Sequence, residues 1–379
     1  MFKNKFFLAI YPYFTVTLII IISTFTVWLP FLLKIGSWLG LSIDSSNFLY
    51  VYRQYDGPLY IIPAKTLYNF QSLEKIAPYV SLSPRYFAAH LPLYPFLIRL
   101  FAPLLGYLKS MIFVNLSATV LLGIFFFFLV KKLRLSDHPL ILTIVFLFLP
   151  RFLIVRSTGA PESLFLLLIL LSLFFFEKEK YLLAGLVGGL ATMTKSPGVL
   201  LFFGYSLVII EKFIKNKKIN WRWLGIILIP AGLLVVFAIY GIQYKDFLAY
   251  FHSGDNIHLT FPFAVFNYKK MWIGTAWLEE IVFYFFFYLL TVISLRRAKE
   301  RSFFYFSLVF FLAVTFVQHR DISRYSLPLW PLCCIAFQRN LTSKKFLLAF
   351  IILLPAIYLY TWNMMIYNVI PVADWSPFL

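Results

Sequence analysis

Charge is scarce: 13% of the 379 residues are Asp, Glu, Lys or Arg, about half the share of a water-soluble chain. Secreted, nuclear and cytosolic enzymes are thereby excluded. Cysteine is limited to Cys333 and Cys334, adjacent within an apolar run. Neighbouring side chains close only a strained bridge, so no disulfide framework is expected. The motifs of nucleotide and metal chemistry are missing as well. The chain has no Gly-rich phosphate loop ending in Lys-Ser/Thr, no dinucleotide fingerprint and no Asp-x-Asp pair, and no Gly-x-Ser-x-Gly elbow. Its histidines, His90, His138, His252, His258 and His319, are scattered without the spacing of a zinc site. Neither a metal nor an organic cofactor is expected. No fixed-period repeat, inverted second half or low-complexity linker appears.

What is present is apolar and aromatic: 61% hydrophobic residues, 21% aromatics and 46 phenylalanines, with a mean hydropathy of +0.84. Spread over many stretches, this composition predicts an all-α polytopic integral membrane protein. At roughly 20 residues per crossing, spans fall near 9–33, 111–130, 139–155, 161–176, 181–194, 198–211, 223–242, 278–295, 303–317, 325–337 and 346–362. That is about eleven crossings, within a range of roughly nine to thirteen, with breaks allowed at Pro150, Pro161 or Pro197. Lys3 and Lys5 precede the first span, which is too long for a signal peptide and lacks a cleavage site.

The net charge of +19 is placed by membrane topology, and nucleic acid is not an expected partner. Alternate connections, 131–134, 177–180, 211–222, 296–301 and 339–345, are short and basic and belong on the cytoplasmic side with Lys3 and Lys5. The other set then faces outward: a long loop at 34–110, tips at 156–161 and 195–197, a loop at 243–277, a tip at 318–324 and the tail after Trp362. The whole chain, 1–379, reads as one transmembrane domain with no separate soluble part. An apolar stretch at 90–100 is expected to lie along the outer interface as a helix. Function is expected on the outward face, where the longer connections are.

Ionisable groups near membrane depth are candidates for chemistry. The outward carboxylates are Asp44, Asp56, Glu74, Glu162, Asp246, Asp255, Asp321 and Asp374, with Glu279 and Glu280 at the mouth of a span. Arg53, Lys65, Arg85, Arg156, Lys195, Lys245, Lys269, Lys270, Arg320 and Arg324 are the matching outward cations. Asp56 sits in Tyr52-Arg53-Gln54-Tyr55-Asp56-Gly57-Pro58-Leu59-Tyr60, where aromatic company suits sugar faces and Asp-Gly-Pro also suits an ordinary turn. Glu162 opens an apolar helix, a position that capping alone also favours. In Gln318-His319-Arg320-Asp321-Ile322-Ser323-Arg324-Tyr325 the cations can clamp a phosphate or satisfy Asp321 locally. Lys195 suits a ligand contact or an interfacial anchor.

In its order of features the chain resembles the GT-C superfamily of polytopic glycosyltransferases, and in detail the PIG-V-like mannosyltransferases. The matching pieces are Tyr55-Asp56-Gly57-Pro58-Leu59-Tyr60 with Ala64, His90-Leu91-Pro92-Leu93-Tyr94-Pro95, Pro161-Glu162-Ser163-Leu164-Phe165, Ala184-Gly185-Leu186, Leu190 to Gly198, and Arg324-Tyr325 before Pro328. The resemblance implies that Asp56 is the catalytic base, with Glu162 as a second site carboxylate. It also implies a polyprenyl-phosphate sugar donor, most often mannose, on the outer leaflet and an extracytoplasmic lipid, glycan or protein acceptor. Arg324, Arg320, His319 and Lys195 would then meet the donor phosphate, and Tyr55, Tyr60, His90 and Tyr325 the substrates. The alternative expectation is a lipid or polysaccharide transporter without transferase activity.

Overall fold

The structure, a computed structural model, describes residues 2–43, 48–54, 56–254, 259–266, 278–372 and 374–379, the first eight of these as backbone only. Asp44, Tyr55, Asp255, His258, Lys269 and Lys270 therefore lie outside the described residues, as do 255–258 and 267–277 of the expected outer loop at 243–277. The main helices are α1 (Phe2–Leu32), α2 (Gly57–Thr66), α3 (Leu93–Leu105), α4 (Tyr107–Lys132), α5 (Pro139–Leu147), α6 (Pro150–Arg156) and α7 (Glu162–Glu177). They continue with α8 (Tyr181–Thr194), α9 (Leu200–Asn216), α10 (Leu228–Gln243), α11 (Glu279–Leu295), α12 (Arg301–Thr315), α13 (Trp330–Ala336) and α14 (Lys344–Tyr367). Short helical turns fill several connections. The one sheet among the described residues is a hairpin pairing Ser37–Trp38 with Leu41–Ser42.

Every segment read as a crossing is helical, and the interfacial stretch is helical too, as α3. Length divides them. Among the described residues, Ile10–Leu32, Tyr107–Lys132, Ser196–Asn216, Trp221–Gln243 and Lys344–Tyr367 are long and apolar enough to cross a membrane, and the pair α5 and α6, bent by 76°, adds one more if it is a single broken span. The bend has a local cause. Pro150 lacks an N–H and disfavours helical backbone in the residue before it, so α5 ends and α6 restarts in a new direction.

The chain forms two compact units, residues 1–167 with 237–254 and 338–379, and residues 168–236 with 255–337. In the first, α1 packs on α4, α2 packs on both α3 and α4, which also pack on each other, and α6 meets α14. Helix ends here are closed by side chains from elsewhere. The C-terminal carbonyls of α2 at Ala64 and Lys65 accept from one nitrogen of Arg99 at 3.0 and 2.8 Å, satisfying acceptors a helix end leaves open. Lys65 Nζ donates to the carbonyls of Pro377 and Leu379 at 2.8 and 2.6 Å, and burial lowers its pKa. This lysine, expected as a free outward cation, is spent holding the tail.

In the second unit backbones come very close. A Cβ built on Gly185 would lie 1.8 Å from the carbonyl oxygen of Gly225, and one on Gly232 would lie 2.5 Å from that of Gly189. Only glycine permits this approach of α8 to the 221–227 turn and α10, the small-residue packing typical of helices in lipid. Ser172 donates to the carbonyl of Ala184 at 2.8 Å and shares a 2.7 Å hydrogen bond with the Tyr205 hydroxyl.

The tethers of this unit collect at one end. Glu177 Oε1 accepts the Ser302 N–H at 2.8 Å, Arg301 Nε reaches Glu211 at 2.9 Å, and Lys212 reaches Glu179 at 3.2 Å. Lys195 and Tyr325 meet elsewhere in the same unit, with Nζ 5.9 Å from the ring centre. Within this unit the connections at 177–180, 211–222 and 296–301 are thus linked to one another, and those at 195–197 and 318–324 meet through the Lys195–Tyr325 contact.

Gly185→Val is expected to lower the melting temperature of the detergent-solubilised chain sharply, because a backbone oxygen cannot move aside. Overpacking of this kind costs about 1–3 kcal/mol or more. Gly36→Ala, with nothing within 4 Å of the added carbon, is expected to leave it unchanged. Equal melting of the two variants would contradict the close approach.

Candidate functional site

The connection between α6 and α7 was expected as an exposed outward tip. Instead every residue from Arg151 to Leu170 is buried, and Arg156 is 1% exposed. Irregular backbone in such a place needs partners for its polar groups. They come from α1 and α4: Trp28 Nε1 donates to the Ser157 carbonyl at 2.7 Å, Asn115 Nδ2 donates to the carbonyls of Val155 and Thr158 at 2.7 and 2.5 Å, and Thr119 donates to Ser163 Oγ at 2.7 Å. Arg156 is the clamp at the bend. Its Nε donates to the Leu147 carbonyl at 3.0 Å, and its terminal nitrogens donate to Thr24 and Ser23 at 3.1 and 2.7 Å. It is therefore corrected from an outward cation to a structural one.

Against this turn lies the start of α2. The backbone at Gly57 comes so near that an added Cβ would meet the Gly159 carbonyl at 3.2 Å and Met111 Sδ at 3.3 Å. Asp56 and Glu162, 106 positions apart in the chain, are thus carried by two touching turns of one unit. Pro58 in the first turn of α2 suits its fixed φ, and the Asp56 carbonyl accepts the N–H groups of Leu59 and Tyr60 at 2.9 and 3.3 Å. The Asp56 carboxylate does not cap α2. Asp56 is half-buried, whereas Glu162 is 2% exposed.

An aromatic wall stands beside them. Tyr60 packs edge-on against His90 at 4.7 Å and against Tyr94 at 5.1 Å between ring centres. The Tyr94 hydroxyl donates to the Met111 carbonyl at 2.9 Å. Burial and then the Glu162 charge raise the Tyr94 pKa. His90, at 3% exposure, presents its own carbonyl to the Tyr68 hydroxyl. Tyr60 and His90, singled out from sequence, belong to this group; Tyr55 lies outside the described residues. Tyr94 and Asn115 were missed as site residues, although a lone Asn inside the run 111–130 was a visible signal.

Two of the other carboxylates expected on the outward side, Asp246 and Asp374, have local partners. Asp246 pairs with His252 Nδ1 at 2.7 Å and accepts the Leu248 N–H at 3.0 Å, and its carboxyl is held below the ordinary range chiefly by that histidine. Asp374 accepts both the N–H and the hydroxyl of Ser376 at 2.9 and 2.8 Å, which lower it likewise. A carboxylate stabilised in its ionised form is a weaker proton acceptor.

The predicted phosphate contacts belong to the second unit. Lys195 stands in extended conformation after α8, and its Nζ lies over the ring of Tyr325, against whose edge His319 packs at 5.0 Å. His319 Nδ1 accepts the Asp321 N–H at 3.0 Å, and Ser323 donates to Asp321 Oδ1 at 3.2 Å. Arg324 is half-buried in the short helix Ile322–Tyr325, while Arg320 is exposed. Lys195, His319 and Tyr325 are thus brought together as one basic and aromatic cluster. Among the described residues no group of three His, Cys, Asp or Glu side chains is arranged to hold a metal. Cys333 and Cys334 are free thiols in the buried α13.

No protein-family model matches the chain, and no curated protein matches it.

Asn115→Leu keeps the branching at Cγ but removes the amide donor to the Val155 carbonyl and leaves the Thr158 carbonyl with only the Ala160 N–H. A loss of about 1–3 kcal/mol for each buried unsatisfied group is expected as a marked fall in melting temperature. Thr15→Val, which removes only an exposed hydroxyl bonded to Tyr11 in the same helix, is the neutral comparison. A stability loss no larger in Asn115→Leu than in that control would show that the turn does not depend on Asn115.

Proposed function

We propose that this chain is a multi-pass membrane glycosyltransferase of GT-C type that moves a sugar, mannose in the first instance, from a polyprenyl-phosphate carrier to an extracytoplasmic acceptor. The observation that carries the reading is the contact between the turn bearing Asp56 and the turn bearing Glu162, with the Tyr60, His90 and Tyr94 rings beside it. Aromatic faces suit sugar rings, and a half-buried carboxylate next to them suits proton removal. The basic connections, read by the positive-inside rule, supply the orientation and the count of about eleven crossings.

In this reading the acceptor hydroxyl gives its proton to the Asp56 carboxylate as its oxygen bonds to the anomeric carbon. The bond from that carbon to the phosphate oxygen breaks, and the carrier leaves as a lipid monophosphate. Inversion at carbon follows from the single displacement. Lys195, Arg324, His319 and Arg320 are assigned to the phosphate, whose charge grows as it leaves. Tyr325 is assigned to donor contact, and Tyr55, Tyr60 and His90 to substrate contact. Glu162, more deeply buried, is a secondary carboxylate that sets the charge around Tyr94. The scheme assigns no step to a metal or organic cofactor.

The bent pair α5 and α6 supports the alternative reading, a carrier that moves lipid-linked substrate without transfer, because broken helices are common in transporters.

The test uses vesicles containing the purified chain, radiolabelled polyprenyl-phosphate mannose and a panel of lipid, glycan and peptide acceptors. Label is expected to pass to an acceptor, and Asp56→Asn is expected to reduce transfer about 10²–10⁴-fold with unchanged melting. Label that crosses the membrane but stays on the carrier supports the transporter reading. Full transfer by Asp56→Asn overturns the base assignment.

A further inference from the structure

The end of the second unit where the tethers collect carries a feature outside the proposed chemistry. Beneath the ends of α8 and α9 lies a cavity of about 490 Å³ walled by Lys212, Lys218, Tyr181 and Asn220. A second cavity, of about 310 Å³, runs up between α9 and the 221–227 turn, lined by Phe202, Ile209, Ile210, Leu224 and Ile227 among others. Asn220 and Trp223 border both, so a polar pocket and an apolar groove lie side by side.

The charge at the pocket is positive. Lys212 is shared with Glu179 at 3.2 Å and the Tyr181 hydroxyl at 3.1 Å, whereas Lys218 and the neighbouring Arg222 are exposed and form no ion pair among the described residues. Glu179, the pocket's acid, is thus matched by Lys212, leaving Lys218 and Arg222 uncompensated. Trp221 is 76% exposed, as an interfacial aromatic is at the level of lipid headgroups. Trp223 keeps its indole N–H shielded from solvent with no acceptor among the described residues.

We propose that this paired cavity binds an anionic glycerophospholipid, the phosphate in the basic pocket and one acyl chain along the apolar groove. Charge complementarity selects an anion, and the groove selects one with a hydrocarbon chain over free phosphate. Basic pockets at helix ends recognise lipid headgroups on the same principle. Lys218 is the principal contact. The Trp223 N–H is a second donor, reached when the ring turns toward the cavity. The inference needs the chain to lie in a bilayer but does not depend on sugar transfer.

Native mass spectrometry of the full chain in detergent tests this, titrating phosphatidylglycerol against phosphatidylcholine of identical chains, each with and without inorganic phosphate. Phosphatidylglycerol is expected to bind more tightly. Lys218→Gln should weaken it about five-fold, the effect of one basic residue at an anionic lipid surface, and Trp223→Phe should weaken it less. The double variant Lys344→Gln/Lys345→Gln, which removes two exposed charges at the start of α14, should leave it unchanged. Equal affinity for the two lipids, an equal effect of the α14 variant, or displacement of the lipid by millimolar phosphate would each overturn the proposal.

Discussion

Buried backbone that is not helical must find hydrogen-bond partners, and the turn between α6 and α7 is where this chain meets that demand. Pro150 bends the helix pair by 76°, and the chain then runs through a fully buried passage before α7 begins. An indole from α1 and an amide from α4 take up its carbonyls, while a buried guanidinium closes the end of α5. Replacing a carboxylate partner by two hydroxyls and a carbonyl lets Arg156 act as a hydrogen-bonding clamp at a site where an ion pair would also have to be desolvated.

From that clamp follows the placement of the candidate chemistry. Because the passage is hydrogen-bonded along its length, Gly159 can receive the backbone at Gly57, and both sites are tight: a Cβ on Gly57 would lie 3.2 Å from the Gly159 carbonyl, and one on Gly159, at 2.3 Å from Met111 Sδ, would force that side chain to move. The two carboxylates that result differ in environment, one half-buried beside aromatic rings and one almost wholly enclosed. Environments that differ in this way push two acids toward different tasks. In the second unit the logic is reversed. Glycine contacts draw α8 toward α10, and two charged groupings stand apart, one basic and aromatic around Tyr325, the other basic around Lys212 and Lys218.

Helix positions were legible because apolar runs bounded by charges have few other solutions in lipid. All the segments read as spans are helical, and Pro150 was already marked as a place for a break. Less visible was anything set by contacts between distant residues. A sequence ending in Arg156-Ser157-Thr158-Gly159 looks like a polar tip, and only Asn115, Trp28 and Ser23 coming from elsewhere turn it into an interior passage. Lys65 looked equally free and is occupied by the tail. The grouping of Tyr60 with His90 was legible only as two separate motifs; Tyr94, which joins them to Glu162, stood in the second motif without a role of its own. The cluster of Lys195, His319 and Tyr325 was anticipated residue by residue, since a cation after a helix and a polar tip between two others are each conspicuous in so apolar a chain.

The start of α2 is seated on the enclosed passage from Ser157 to Glu162, and hydrogen–deuterium exchange of the passage's backbone amides in detergent or nanodiscs measures that enclosure directly. Exchange as slow as that of the middle of α4 is the predicted result. Exchange as fast as that of the exposed connection at 217–220 would contradict it, because a turn open to water could not seat the start of α2.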